Sequence, residues 1–199
     1  MKIREELEAL GRDYVGLYFN EIEVDPDKIL AVMINEVVPA NPDDDFYGGP
    51  KAAYLSTTIP LFQAAGIPVN SVQEILNRGI YITNAVKRPK SESTIEKSSL
   101  EESLPYLERE LSLFPNVKVI MLMGDVAKKC YNQITKKATG KPAVPAVSTY
   151  KLRNSETTCN GIRIMPSYIM TGQNLLIEKS KFQMASEDIA MMCRLIGEN

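Results

Sequence analysis

The chain contains no histidine. That absence removes the usual general base, the Ser–His and Cys–His nucleophile pairs and the commonest side-chain metal ligand. Cysteine is scarce: Cys130, Cys159 and Cys193 lie far apart, no CxxC pair occurs, and an odd count does not build a disulfide framework. Such usage suits a reducing compartment, so a cytoplasmic location is expected. Long apolar runs are missing. Those near Ile29–Ile34 and Val119–Met123 fall far short of the ~20 residues that cross a bilayer. The opening MKIREELEAL is charged and helix-forming, unlike a signal peptide. Neither GxGxxG nor GxxxxGKS/T is present, which disfavours dinucleotide and P-loop chemistry. Positive charge is not in excess either, with 23 Lys and Arg against 25 Asp and Glu. No global field draws the protein to nucleic acid, so any such contact needs a local basic patch.

What is present is an ordinary globular composition, 44% apolar and 24% charged over 199 residues. That length suits a single domain spanning 1–199. Ile3, Leu7 and Leu10 have helical spacing. KILAVMINEVV reads as a strand covered on both faces, and GIYITNAV (79–86) as a second strand. Between them, PANPDDDFYGG is a turn-rich acidic loop, and Pro50 opens a helix through Phe62 that Pro60 ends or kinks. Ser99 with Glu102 has a capping-box pattern ahead of the stripe Leu100, Leu104, Leu107, Leu111 and Phe114, which Pro105 interrupts. Residues 117–123 form a third strand, and Gly124-Asp125 turns into a helix over 126–134. Residues 144–152 and 161–165 are expected as two more strands, the last broken by Pro166, before a final helix over 181–196. The alternation predicts an α/β domain, a three-layer α/β/α sandwich with a mostly parallel central sheet.

In an open α/β sheet, ligands bind at the carboxyl ends of the strands. Asn35-Glu36 closes the first strand, Asn84 the second, Gly124-Asp125 the third and Pro166-Ser167-Tyr168 the last. Four segments thus converge on one edge.

Those segments resemble the uracil-DNA glycosylase superfamily. ILAVMINEVV is similar to its first motif, DDFYGG to the aromatic-glycine segment that follows, GIYITNAVKRPK to the strand whose asparagine reads the base, VIMLMGDVAKKCYN to its strand-Gly-helix unit, and MPSYIMTGQN to its second motif and DNA-penetrating loop. The resemblance implies a three-layer sandwich and base-excision hydrolysis of the N-glycosidic bond of a flipped, damaged pyrimidine during DNA repair. It places Asn84 as the base-reading amide, which offers both a donor and an acceptor. Phe46 matches the stacking ring, with Tyr47 as the neighbouring alternative. Asn35 matches the residue that positions the attacking water. Glu36 and Val37 depart from that motif, and Glu36, Asp43, Asp44 or Asp45 could supply a carboxylate instead. Met165 stands where the family has histidine; methionine donates nothing, leaving Ser167 and nearby N–H groups to support the departing base. Lys87, Arg88 and Lys90, the group at residues 136–141, and Gln173 in the penetrating loop are candidates to contact nucleic acid. The expected partner is DNA, single- or double-stranded, or a free nucleobase, and the expected state is a monomer. No metal, cofactor or iron–sulfur cluster is expected. The alternatives are a non-catalytic relative that binds a nucleobase or nucleic acid, and a small-molecule enzyme on the same scaffold.

Overall fold

The computed structural model describes residues 1–197. Five strands form one sheet: β1 (Ala31–Val37), β2 (Ile80–Val86), β3 (Val119–Met123), β4 (Thr158–Cys159) and β5 (Ile162–Ser167), in the order β2-β1-β3-β5-β4. All pairings are parallel except β4 with β5. The runs AVMINEV (β1), IYITNAV (β2) and VIMLM (β3) are buried almost throughout, as expected of strands covered on both faces.

Helices fill both outer layers. On one face, α1 (Ile3–Glu8), α4 (Lys97–Ser112) and α5 (Asp125–Thr139) enclose a core that includes Val32, Ile34, Tyr81, Leu107 and Leu122. On the other, α2 (Leu55–Ala64), α3 (Val72–Asn77) and α7 (Lys179–Leu195) enclose Met33, Phe62, Ile82, Met121 and Ile189. Each fully buried Ile or Leu in these layers contributes about 1.5–3 kcal/mol of transfer free energy. The short α6 (Thr149–Leu152) precedes the β4–β5 hairpin. That hairpin turns on Asn160 (φ 51°) and Gly161 (φ 79°), the positive-φ pair that a two-residue hairpin loop requires. No helix among the described residues is long and apolar enough to cross a membrane.

Several sequence expectations need correction. Residues 144–152 are not a strand. Pro142 and Pro145 remove donors there, the Val144 backbone is held by the Asn132 side chain at both N–H and C=O (2.9 and 3.0 Å), and Ser148 caps α6. Pro166 does not break β5 but lies within it, opposite Leu122. Arg163 N–H donates to Lys118 on the β3 side and Ile164 N–H to Thr157 on the other. By alternation the Pro166 nitrogen faces the second side, beyond the end of the short β4, where no ladder bond is lost. Pro60 and Pro105 also sit inside α2 and α4, which run through them. Helix α4 begins at Lys97, and Ser99 with Glu102 forms no box; Glu102 instead pairs with Arg88. A box-like cap forms at Ser71, whose hydroxyl accepts from Glu74 N–H while the Glu74 carboxylate returns to Asn70 N–H (2.8 Å). It opens α3, which the periodicity did not mark.

Candidate active site

The ends of β1 and β2 place the polar groups. Asn35 and Asn84 occupy the same register position on adjacent parallel strands. They share the sheet face of Met33 and Ile82, so their amides meet: Asn35 Nδ2 donates to Asn84 Oδ1 at 2.7 Å. The Asn84 Nδ2 group donates to both carboxylate oxygens of Asp45 at 2.9 Å. Thr171, on the segment that follows β5, donates to Asn35 Oδ1 at 3.2 Å. Tyr54 donates to Val37 O at 2.8 Å. A further bond from Thr57 to Met170 O pins that segment onto α2. Four stretches of chain thus build a continuous polar row, Asp45–Asn84–Asn35–Thr171.

The row is closed. Asn35 and Asp45 are 0% exposed and Asn84 is 1% exposed. Phe46 is buried as well, its ring 5.2 Å from that of Tyr54. Burial strips water from Asp45 and pushes its carboxyl up to about 6, against the opposing effects of the Asn84 amide and the Phe46 N–H. That is the range in which a carboxylate can take up a proton near neutral pH. Tyr54, also raised by burial, keeps its proton.

The structure therefore brings Asn35, Asn84 and the Asp45-Phe46 pair together. Among the four acids that the sequence left open, the carboxylate in this row is Asp45. Asp43 and Asp44 stay in the 3-10 turn Pro42–Asp44 near the surface. Glu36 points to the opposite face of β1. There it accepts from Val126 N–H at 2.8 Å, capping α5, and burial raises its carboxyl. The carboxylate lies against Gly124, where an added Cβ would fall 2.8 Å from Glu36 Cδ and where φ is +110°. Gly124→Ala is accordingly expected to displace Glu36, uncap α5 and cost about 1–3 kcal/mol, read as a lowered midpoint in urea unfolding.

The remaining candidates separate. Tyr47 is not at the row: its hydroxyl donates to Ile82 O and accepts from Ile82 N–H, both at 3.0 Å, on the outer edge of β2. Met165 packs in the α7-side core. Ser167 donates to Asp188 at 2.6 Å, and Asp188 is held in turn by Arg153 at 2.9 and 3.0 Å. Lys87 turns inward. It is 3% exposed, and its ammonium meets Glu110 at 2.6 Å and Thr83 at 2.8 Å, so it is not on a surface that phosphate would reach. Arg88 is half-exposed and paired with Glu102, while Lys90 and Gln173 are exposed. A cleft of about 980 Å³ opens on the α5 side, with Glu36, Gly124, Ser167 and Lys136 among its walls and none of the four residues of the row.

The family model of the uracil DNA glycosylase superfamily matches residues 15–187. The chain belongs to the uracil-DNA glycosylase superfamily. None of the curated proteins searched matches it. The superfamily match spans both strand ends, the loop that carries Asp45, the cleft and the segment that delivers Thr171. It stops one residue short of Asp188, the partner of Ser167. In this superfamily member the Asp45 carboxylate is the site feature that sequence reasoning underweighted. Nothing in the local sequence separated it from Asp43 and Asp44, because all three acids precede the same aromatic pair.

Proposed function

We propose that the protein hydrolyses the N-glycosidic bond of a damaged pyrimidine nucleotide flipped out of DNA, at the carboxyl edge of the sheet. The observation that carries this reading is the row Asp45–Asn84–Asn35, which joins a carboxylate of raised pKa to two carboxamides at adjacent strand ends. In the reaction, a base edge takes the place of the Asp45 carboxylate at the Asn84 amide. A water held by Asn35 gives its proton to Asp45 as its oxygen bonds to the sugar C1′. The C1′–N bond breaks and its electron pair leaves with the base. Thr171 and Tyr54 are the hydroxyl donors nearest the row, and the developing charge on the base is theirs to support in place of the histidine that Met165 replaces. Phe46 stacks on the base, and exposed Lys90 and Gln173 meet the flanking nucleic acid.

The test is an abasic-site assay on oligonucleotides carrying uracil, hypoxanthine, xanthine or a mismatch. Cleavage at uracil or at a mismatched pyrimidine after alkali treatment is the expected result; cleavage confined to the purines hypoxanthine and xanthine, or no product from any of them at high protein excess, overturns it. A second reading, a non-catalytic relative that binds a nucleobase or nucleic acid, is favoured by the full occupancy of the Asn84 amide and by Met165. Saturable heat on titration with free bases, without turnover, would select it.

A further inference from the structure

The polar row has a direction, and its direction decides what it can read. An ionised Asp45 accepts hydrogen bonds and donates none. The end of the Asn84 amide that faces it is therefore the NH2 group, 2.9 Å from both oxygens. That turns Asn84 Oδ1 toward Asn35, whose own NH2 group meets it at 2.7 Å. Asn35 is also a hydrogen-bond neighbour of Tyr54, which spends its proton on Val37 O at 2.8 Å and so can only accept from the amide. Asn35 Oδ1 is left for Thr171, whose hydroxyl donates to it at 3.2 Å. Thr171 is buried (6% exposed) and arrives on the segment that follows β5. That segment is fastened to α2 one residue earlier, where Met170 O accepts from Thr57 at 2.9 Å and from Thr58 at 3.4 Å.

We propose that Thr171 is a positioning residue that sets the polarity of this row, so that Asn84 presents its NH2 end to an incoming base and selects a carbonyl oxygen over an amino group. The inference rests on the reading of Asn84 as the base-contacting amide and deepens it by naming what orients that amide. A base that displaces Asp45 removes the constraint at that end of the row. From then on Asn84 is held by its other neighbour. A reversed Asn84 would set its NH2 group against that of Asn35, donor facing donor in a buried site. If Asn35 reversed as well, its oxygen would face that of Tyr54, whose proton is committed, and the Thr171 proton would lose its acceptor in the row. Valine at 171 keeps the shape of threonine but leaves Asn35 Oδ1 without this donor, and both amides can then turn. The consequence falls on the base. A keto pyrimidine offers an oxygen where the Asp45 oxygens stand, whereas an amino pyrimidine brings hydrogens to a donor. Because the Met170 bonds to α2 place the Thr171 hydroxyl, the seat of that segment and the reading of the base are linked.

Two independent readouts test this. The first is hydrogen exchange of the Asn35 and Asn84 side-chain NH2 signals, followed by NMR in protein isotope-labelled at asparagine and held above pH 7, where Asp45 is ionised. Thr171→Val is expected to speed exchange of both groups about tenfold or more, and Thr171→Ser, which keeps the donor, to restore it. Thr135→Val removes a hydroxyl that serves Asn132 O and Ala143 N–H instead, and is expected to leave both signals as in the parent. Unchanged exchange in Thr171→Val overturns the proposal whether or not any base is released. A role confined to supporting charge on the departing base would not move these signals in the free protein. The second readout is base release from single strands carrying one uracil or one cytosine, so that pairing does not enter. The uracil-to-cytosine ratio of kcat/KM is expected to fall about tenfold or more in Thr171→Val and to recover in Thr171→Ser. A slower variant with the parent's ratio overturns the proposal. No release from either strand by the parent refutes the glycosylase reading instead, and the exchange measurement then decides the role of Thr171 by itself. Melting temperatures matching the parent exclude misfolding as the cause of any change.

Discussion

Asp45→Asn is expected to lower the rate of base release about 10²–10⁴-fold, the usual contribution of a positioned general base. The substitution keeps the side chain's shape but removes its ability to take a proton from water. Stability is expected to move differently. A carboxyl raised to about 6 from an ordinary 3.8 is easier to bury protonated than ionised, a difference of roughly 3 kcal/mol. The stabilising contribution of Asp45 is therefore complete below about pH 4 and is lost as pH rises through 6. The asparagine has no charge to bury, though it loses one hydrogen bond from Asn84, about 1 kcal/mol. Parent-minus-variant unfolding free energies, measured from pH 4 to 8, should fall with rising pH and level off above 7. A flat difference curve would refute the assignment of the raised carboxyl. Full activity in the variant would refute its catalytic role and redirect attention to Glu36.

Glu110→Ala is expected to cost about 3–5 kcal/mol, because it leaves the Lys87 ammonium buried without its counter-charge. For a domain of this size that corresponds to a fall of roughly 10 °C or more in melting temperature. Glu110 is 0% exposed and also accepts from Tyr81 and Thr83, so three donors lose their acceptor together. Removing the whole pair, as Lys87→Met/Glu110→Leu, should recover much of the loss, since an apolar replacement leaves no orphaned charge. A single variant melting within 2 °C of the parent would show that water reaches the pair.

Strands β1, β2 and β3 were legible because each is a continuous apolar run, and α4 and α7 because their stripes repeat at helical spacing. Residues 144–152 misled because Val144 and Leu152 bury their side chains from a loop and a short helix, while the prolines around them deny the sheet its donors. At the site, register made Asn35 and Asn84 neighbours, and strand ends were readable as such. Asp45 was not separable from Asp43 and Asp44, since only the fold decides which of three adjacent acids turns inward. Lys87 read as part of a surface group, Lys87–Lys90. Yet, one residue beyond β2, it falls on the same face as Thr83, and Glu110 falls three residues after Leu107 on a buried helical stripe. A carboxylate on such a stripe requires a buried cation, and that pairing was the overlooked signal.

The hydroxyl of Tyr47 occupies both backbone groups of Ile82 on the outermost strand, β2. It thereby stands in for a missing neighbouring strand at that point. Asp45 and Phe46 belong to the same short stretch. If that stretch swings out to admit a base, it uncovers the Ile82 N–H along with the pocket and leaves the Ile82 C=O to the Asn20 amide alone (3.3 Å). Repeated opening would then favour self-association between molecules, and Tyr47→Phe should clump on warming before it unfolds.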